Sequence, residues 1–356
     1  MSTIKLASLA TIASLGIALA ACSNSDTNGT GGTGGGTGGT PSSSSSSSSS
    51  GTGGTGGTAP AEPTFVAHFD AAKGELPEGL FINGNKALVG YAALGKIVNV
   101  DLTAGTISDF GSIPAPPANA GFMLGIIADG SGNVYVGFGG GPGTPVKNGV
   151  YKLPAAGGAV NDPWAADPEM NFPNGFVFDD KKNLFVADSG GAIFKIAGDG
   201  TVTKWLADPS LSAAGANCSF GAPFPIGGNG IVFDKGVFYV ANTNVGQIVS
   251  IPVNGDGSPG TPAILVGPDC NALGGIDGLA SDGDGGLYGV INSQSKLVHL
   301  AAGSSKFEDV FTGAPLDNPA SISVATVGGK KAAFITNSAF FDMKAPAPGL
   351  LSYPLP

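Results

Sequence analysis

Residues 172–208 read FPNGFVFDDKKNLFVADSGGAIFKIAGDGTVTKWLAD. Asn174-Gly175 is a turn signal, followed by a short apolar strand, Phe176-Val177-Phe178. Asp179 to Asn183 turn the chain into a second strand, Leu184 to Ala187. Asp188-Ser189-Gly190-Gly191 turns it again before Ile193 to Ile196, and Asp199-Gly200 leads to Val202 to Leu206. Four short antiparallel strands joined by tight turns form one blade of a propeller.

The unit recurs on both sides. GGNGIVFDKGVFYVANTNVGQIVSI (227–251) and GIDGLASDGDGGLYGVINSQSKLVHL (275–300) copy it closely. Looser copies begin at Pro77 (PEGLFINGNKALVGY), Met123 (MLGIIADGSGNVYVGF) and Pro319 (PASISVATVGGKKAAFITNSAF). The anchor positions are Gly79, Gly125, Gly175, Gly230, Gly278 and Ser321, and subtraction gives spacings of 46, 50, 55, 48 and 43 residues. A two-sheet sandwich would need no such repeat. Six anchors with four strands each predict an all-β, six-bladed β-propeller over residues 63–356. Blade six lacks an outer strand after Gly349-Leu-Leu-Ser-Tyr-Pro, while Phe65 to Phe69 form a strand without a blade. Pairing these two closes the ring and removes two sheet edges.

The amino-terminal sixty residues have a different character. Residues 1–21 carry Lys5 and then an apolar core from Leu6 to Leu19, the pattern of an export signal. Leu19-Ala20-Ala21-Cys22 resembles the lipobox of bacterial lipoproteins, which implies cleavage before Cys22 and acylation of that residue. Residues 22–62 are rich in Gly, Ser and Thr and predict a lipid-anchored disordered linker, spanning on the order of 35 Å as a random coil. The expected location is the bacterial cell envelope, at the outer membrane, with the domain exported and touching the membrane through the anchor alone.

Charge excludes one class of partner. All 16 basic residues are Lys, there is no Arg, and the net charge is −10; loss of Lys5 with the signal makes it −11. An acidic chain without Arg has no footprint for nucleic acid. A monomer is expected. Cys218 and Cys270 are an even pair once Cys22 is set aside, and a disulfide is expected in an exported chain, with two free thiols as the alternative.

Residues just before the inner strands surround one mouth of a propeller's channel. Here they are Glu78, Leu124, Asn174, Asn229, Asp277 and Ala320. Four bear side-chain oxygen and suit a hard divalent cation, Ca²⁺ or Mg²⁺ before Zn²⁺ or Mn²⁺. The same residues are also common turn formers, a reading that needs no ion. Asp188, Asn242, Asn292 and Asn337 end second strands and reach the same mouth, or else make Asx-turns there. Asp129, Asp179, Asp234 and Asp282 fall at the opposite end and read as turn formers. His68 and His299 lie away from the axis, so a Ser-His-Asp hydrolase is disfavoured. Trp164 and Trp205 are expected to pack between blades.

The pattern PEGL, FPNG, GGNG and GIDG resembles the senescence marker protein/gluconolactonase family, the regucalcin-like propellers. The resemblance covers residues 65–356. It implies Glu78, Asn229 and Asp277 as metal ligands and Asn174 as the residue that contacts substrate. It further implies hydrolysis of a lactone or related ester by metal-activated water, with Asp277 as general base. The chain departs from that family in blade two, where an Arg often holds substrate and Gly137-Phe-Gly-Gly-Gly-Pro-Gly reads as a bare loop. A different class, a non-enzymatic NHL-like binding or scaffold propeller presenting a surface to a partner, uses the same strands without a metal.

Overall fold

A computed structural model describes residues 61–118, 120–214, 218, 224–340 and 345–356. The signal segment, Cys22 and all but the end of the linker lie outside the described residues.

Blade three has the strands foreseen for residues 172–208. Pro173–Phe178, Leu184–Asp188, Ala192–Ile196 and Val202–Ala207 pair in sequence order, all antiparallel. Its first turn is held by Asp179, whose carboxylate accepts from the backbone N–H groups of Lys181 and Asn183 and from the Asn183 amide. Asp129 does the same for Ser131 and Asn133 in blade two, and Asp282 for Asp284 and Gly286 in blade five. These aspartates are turn formers, as expected.

The other inner strands are Pro77–Asn83, Gly121–Ala128, Gly228–Asp234, Ile276–Ser281 and Pro319–Val327. Each packs against the inner strand of the next blade, and the last packs against the first. The ring closes as predicted: Thr64–His68 pairs antiparallel with Gly349–Pro354, with Phe65 opposite Leu351 and His68 opposite Gly349. The fold is thus a six-bladed β-propeller. Blade two departs in detail. Its ladder contains Gly121–Ala128, Val134–Gly140 and Gly149–Leu153. The next two-residue strand, Gly158–Ala159, instead runs parallel to the outer strand of blade one, Ile107–Ser112, and only a bridge between Val150 and Ala165 stands in the fourth position.

Hydrophobic packing lies between blades rather than in one centre. Phe185 and Ile193 of blade three bury against Ile231, Phe238 and Val249 of blade four. Trp205 packs edge-on to both Phe185 and Phe238, and its Nε1 donates to the Gly257 carbonyl at 2.9 Å. Trp164 packs on Tyr135. Both tryptophans are packing residues, as expected. The Cys218–Cys270 disulfide is formed and joins the segments leading into blades four and five.

A bulge near the start of every inner strand places the site. The register shifts between Pro77 and Leu80, Met123 and Ile126, Pro173 and Gly175, Gly228 and Ile231, Ile276 and Leu279, and Pro319 and Ile322. A bulge re-aims the side chain beside it. Glycine is needed at five of these places because the neighbouring blade comes so close: a Cβ at Gly125 would sit 2.0 Å from the Asn174 carbonyl oxygen, and one at Gly175 would sit 2.2 Å from that of Asn229.

Candidate functional site

The residues after the bulges, Leu80, Ile126, Phe176, Ile231, Leu279 and Ile322, line a small space of about 80 Å³ on the axis, which Asn174, Asn229 and Asp277 also reach. Before the bulges, Glu78, Leu124, Asn174, Asn229 and Asp277 line a larger cavity of about 400 Å³ at one mouth. The structure therefore brings together all four residues singled out in the sequence, Glu78, Asn174, Asn229 and Asp277, each at most 9 % exposed. Ala320 is buried and does not line the cavity.

Hydroxyls from the ends of the second strands lock this floor across blade boundaries. Ser189 donates to the Gly228 carbonyl at 3.0 Å, Thr243 to that of Ile276 at 2.7 Å, and Thr336 to that of Glu78 at 3.0 Å. Two of them also orient site amides: Asn174 donates to Ser189 at 3.3 Å, and Asn229 to Thr243 at 2.9 Å. The amide oxygens, which only accept, are the groups with ligand capacity.

The four second-strand ends divide. Asn242 donates to the carbonyls of Ser210 and Ser212, and Asn337 to that of Pro315. Asp188 accepts from the backbone N–H groups of Phe172 and Gly190 at 2.6 and 2.9 Å. These three tie loops to the sheet. Asn292 also donates to a loop carbonyl, that of Asn318 at 3.4 Å, but it lines the cavity beside the Asp277 carboxylate.

Electrostatics single out two groups. Burial pushes the Glu78 carboxyl up to about 7, opposed by the Ser338 hydroxyl 3.5 Å from its Oε2. Asp277 is raised well above the usual carboxylate range, first by burial and then by the charge of Glu78; hydrogen bonds from Asn229 and Asn292 act the other way. Among the described residues, no Lys or His lines the cavity to balance them. Two like charges out of water and close enough to feel each other are costly unless a proton or a cation neutralises them.

Among the described residues, the donor set fits a hard divalent cation: two carboxylates and neighbouring amide oxygens, with no sulfur or imidazole. Among the described residues, no cluster of three or more His, Cys, Asp and Glu side chains could hold a metal. An ion here would therefore draw on Asn oxygens as well as the carboxylate pair.

The upper wall was not foreseen. Phe122, Phe172, Phe224 and Phe340 all line the cavity. Phe224 stands 5.2 Å from Phe172 and 6.1 Å from Phe122, and Phe122 stands 6.5 Å from Phe340, measured between ring centroids. Phe172 and Phe340 stand at the ends of stretches quoted above as copies of the repeat, and Phe122 and Phe224 fall outside them, so the turn-and-strand pattern itself did not mark the four as one wall. The stretch read as a bare loop in blade two is different as well. Gly137 to Gly140 end a strand, and blade three covers them: a Cβ at Gly137 would lie 2.0 Å from the Pro173 carbonyl oxygen, and one at Gly139 2.4 Å from the Phe172 ring.

No protein-family model matches the sequence, and no curated protein does. Solved structures match the fold. A calcium-binding protein, regucalcin, from Agrobacterium tumefaciens is 15% identical with a TM-score of 0.58, over 83% of this chain and 94% of its own. A PQQ-bound aldose sugar dehydrogenase from Streptomyces coelicolor is 16% identical with a TM-score of 0.56, over 83% of this chain and 99% of its own. A protein assigned as a gluconolactonase is 12% identical with a TM-score of 0.55, over 84% of this chain and 95% of its own. At these identities the likeness is one of architecture, and it agrees with the six-bladed propeller.

Proposed function

We propose that this propeller binds one divalent cation, Ca²⁺ before Mg²⁺, Zn²⁺ or Mn²⁺, and hydrolyses a lactone or ester in the mouth of its channel. The observation that carries this reading is the pair of buried carboxylates, Glu78 and Asp277, facing one cavity with no basic residue among the described residues of its wall. Glu78, Asn229 and Asp277 would hold the ion. A bound cation supplies Lewis acidity toward a carbonyl oxygen and makes water more acidic. Asp277 acts as the general base, taking the proton of the attacking water, with Asn292 beside its carboxylate on the cavity wall. Asn174, held by Ser189, contacts the substrate.

The same reading places the domain outside the cell. We propose cleavage before Cys22 and lipid attachment there, supported by the Leu-Ala-Ala-Cys box at the end of the apolar segment and by a disulfide that suits an oxidising compartment.

The test is elemental analysis of the purified domain, followed by a lactone and ester panel with calcium and with chelator. The expected result is bound or bindable metal and hydrolysis that EDTA abolishes. Hydrolysis unaffected by chelation and by Asp277→Asn would overturn the proposal.

A further inference from the structure

The polar floor is only one side of the cavity. The opposing side is built from four half-buried phenylalanines, with Pro116 and Pro117 beside them. Their placement is fixed by the fold. Phe172 is held through its backbone N–H by the buried Asp188 carboxylate at 2.6 Å, and its ring fills the space above Gly139. Phe122 belongs to the inner strand of blade two and touches the rings of both Phe224 and Phe340. These side chains come from different blades and turn their rings to one space.

The polar capacity above the floor is small. Thr243 lines the cavity, but its hydroxyl already accepts from Asn229 and donates to the Ile276 carbonyl. Among the described residues, the charged ones on the lining are Glu78 and Asp277, both at the floor, and none is a lysine that could hold an anionic substituent. A ligand whose body carried several hydroxyls would set them against phenyl rings, exchanging water for no partner. An apolar body loses nothing by the same transfer and gains from each methylene buried.

We propose that the cavity takes a neutral lactone or ester whose body is an apolar acyl chain, seated along the Phe122–Phe172–Phe224–Phe340 wall with its polar head at the Glu78–Asp277 floor. The identity of the head group as a hydrolysable carbonyl rests on the function proposed above; the apolar body rests on the wall alone. The cavity, about 400 Å³, is in the range of small-molecule sites.

The test uses a homologous series, γ-butyrolactone, γ-hexalactone, γ-octalactone and γ-decalactone, against the polyhydroxylated D-glucono-1,5-lactone. Binding to chelator-treated protein is measured by titration calorimetry, and hydrolysis is measured separately with excess calcium. Affinity is expected to rise about three- to fourfold for each methylene that reaches the wall, with gluconolactone the weakest ligand. Phe122→Ala and Phe172→Ala should flatten the dependence on chain length, while Phe122→Leu, which stays apolar, should keep most of it. Preferential binding of gluconolactone, or affinity independent of chain length, would overturn the assignment of an apolar body. A clear chain-length dependence in binding without hydrolysis of any member would support the apolar body and overturn the hydrolase reading instead.

Discussion

Replacing Glu78 by Gln should stabilise the protein without cation and remove its response to cation. The Glu78 carboxyl is raised from 4.5 to about 7 in the folded chain, chiefly by burial. A folded-state value above the unfolded one means that the native state holds the proton more tightly. Stability from this group is therefore full below about pH 4.5 and is lost as pH rises through 7. The loss amounts to about 3 kcal/mol. Gln has nearly the same shape and no charge. In EDTA at pH 8 the variant should thus be more stable than wild type by up to about 3 kcal/mol, or roughly 6 °C in Tm for a domain of this size. At pH 4 the gap should vanish. Calcium reverses the comparison: at a hundredfold excess over Kd, wild type gains about 2.7 kcal/mol and the variant little. Thermal melts at pH 4 and 8, with EDTA and with calcium, give the four numbers required. A variant that is destabilised equally at both pH values in EDTA would refute the reasoning, because Glu78 would then be a satisfied structural carboxylate.

Other consequences follow from the same geometry. Cation affinity should fall steeply below pH 7, because protons compete for the raised Glu78 and Asp277 carboxyls, and calorimetric titrations between pH 5.5 and 8 will show it. Gly125→Ala places a Cβ 2.0 Å from the Asn174 carbonyl oxygen; it should cost on the order of 3 kcal/mol in denaturant unfolding. Reducing the Cys218–Cys270 bridge opens a constraint across 52 residues and should lower stability by roughly 4 kcal/mol in the chain-entropy view, seen as a drop in Tm with reductant that a Cys218→Ser/Cys270→Ser variant no longer shows.

The fold was legible because each blade repeats its own local chemistry. Two apolar strands and an Asp-anchored loop can be read without long-range knowledge, and the orphan strand at Thr64–His68 could be matched to an incomplete blade six. The Asn-Gly and Asp-Gly pairs read as turns mark the repeat correctly but lie inside the inner strands, at the bulges, because the second strand of each blade pairs across them. Blade two was less legible. Gly157 and Gly158, with φ of 77° and 105°, carry the chain away from its own sheet to pair beside Gly111 of blade one, a choice made by the neighbouring blade. The floor of the site was legible for the same reason as the fold: Glu78, Asn174, Asn229 and Asp277 occupy one position in the repeat. Asn292 shows the limit. It stands where Asp188, Asn242 and Asn337 stand and, like them, engages a neighbouring segment, yet it alone of the four lines the cavity, a difference the repeat does not encode. In the phenylalanine wall, Phe122 and Phe172 share one repeat position, three residues before Gly125 and Gly175, but Phe224 and Phe340 have no aromatic counterpart in the other blades, so only the folded ring brings the four together.

The most direct measurement is a calcium titration of EDTA-stripped protein at pH 7.5, followed by heat of binding in wild type, Glu78→Gln and Asp277→Asn. Binding of one ion per chain in wild type, lost or weakened at least a hundredfold in both variants, is the predicted result. No binding of calcium, magnesium, zinc or manganese by correctly folded wild-type protein would contradict the central claim that the buried carboxylate pair is a cation site.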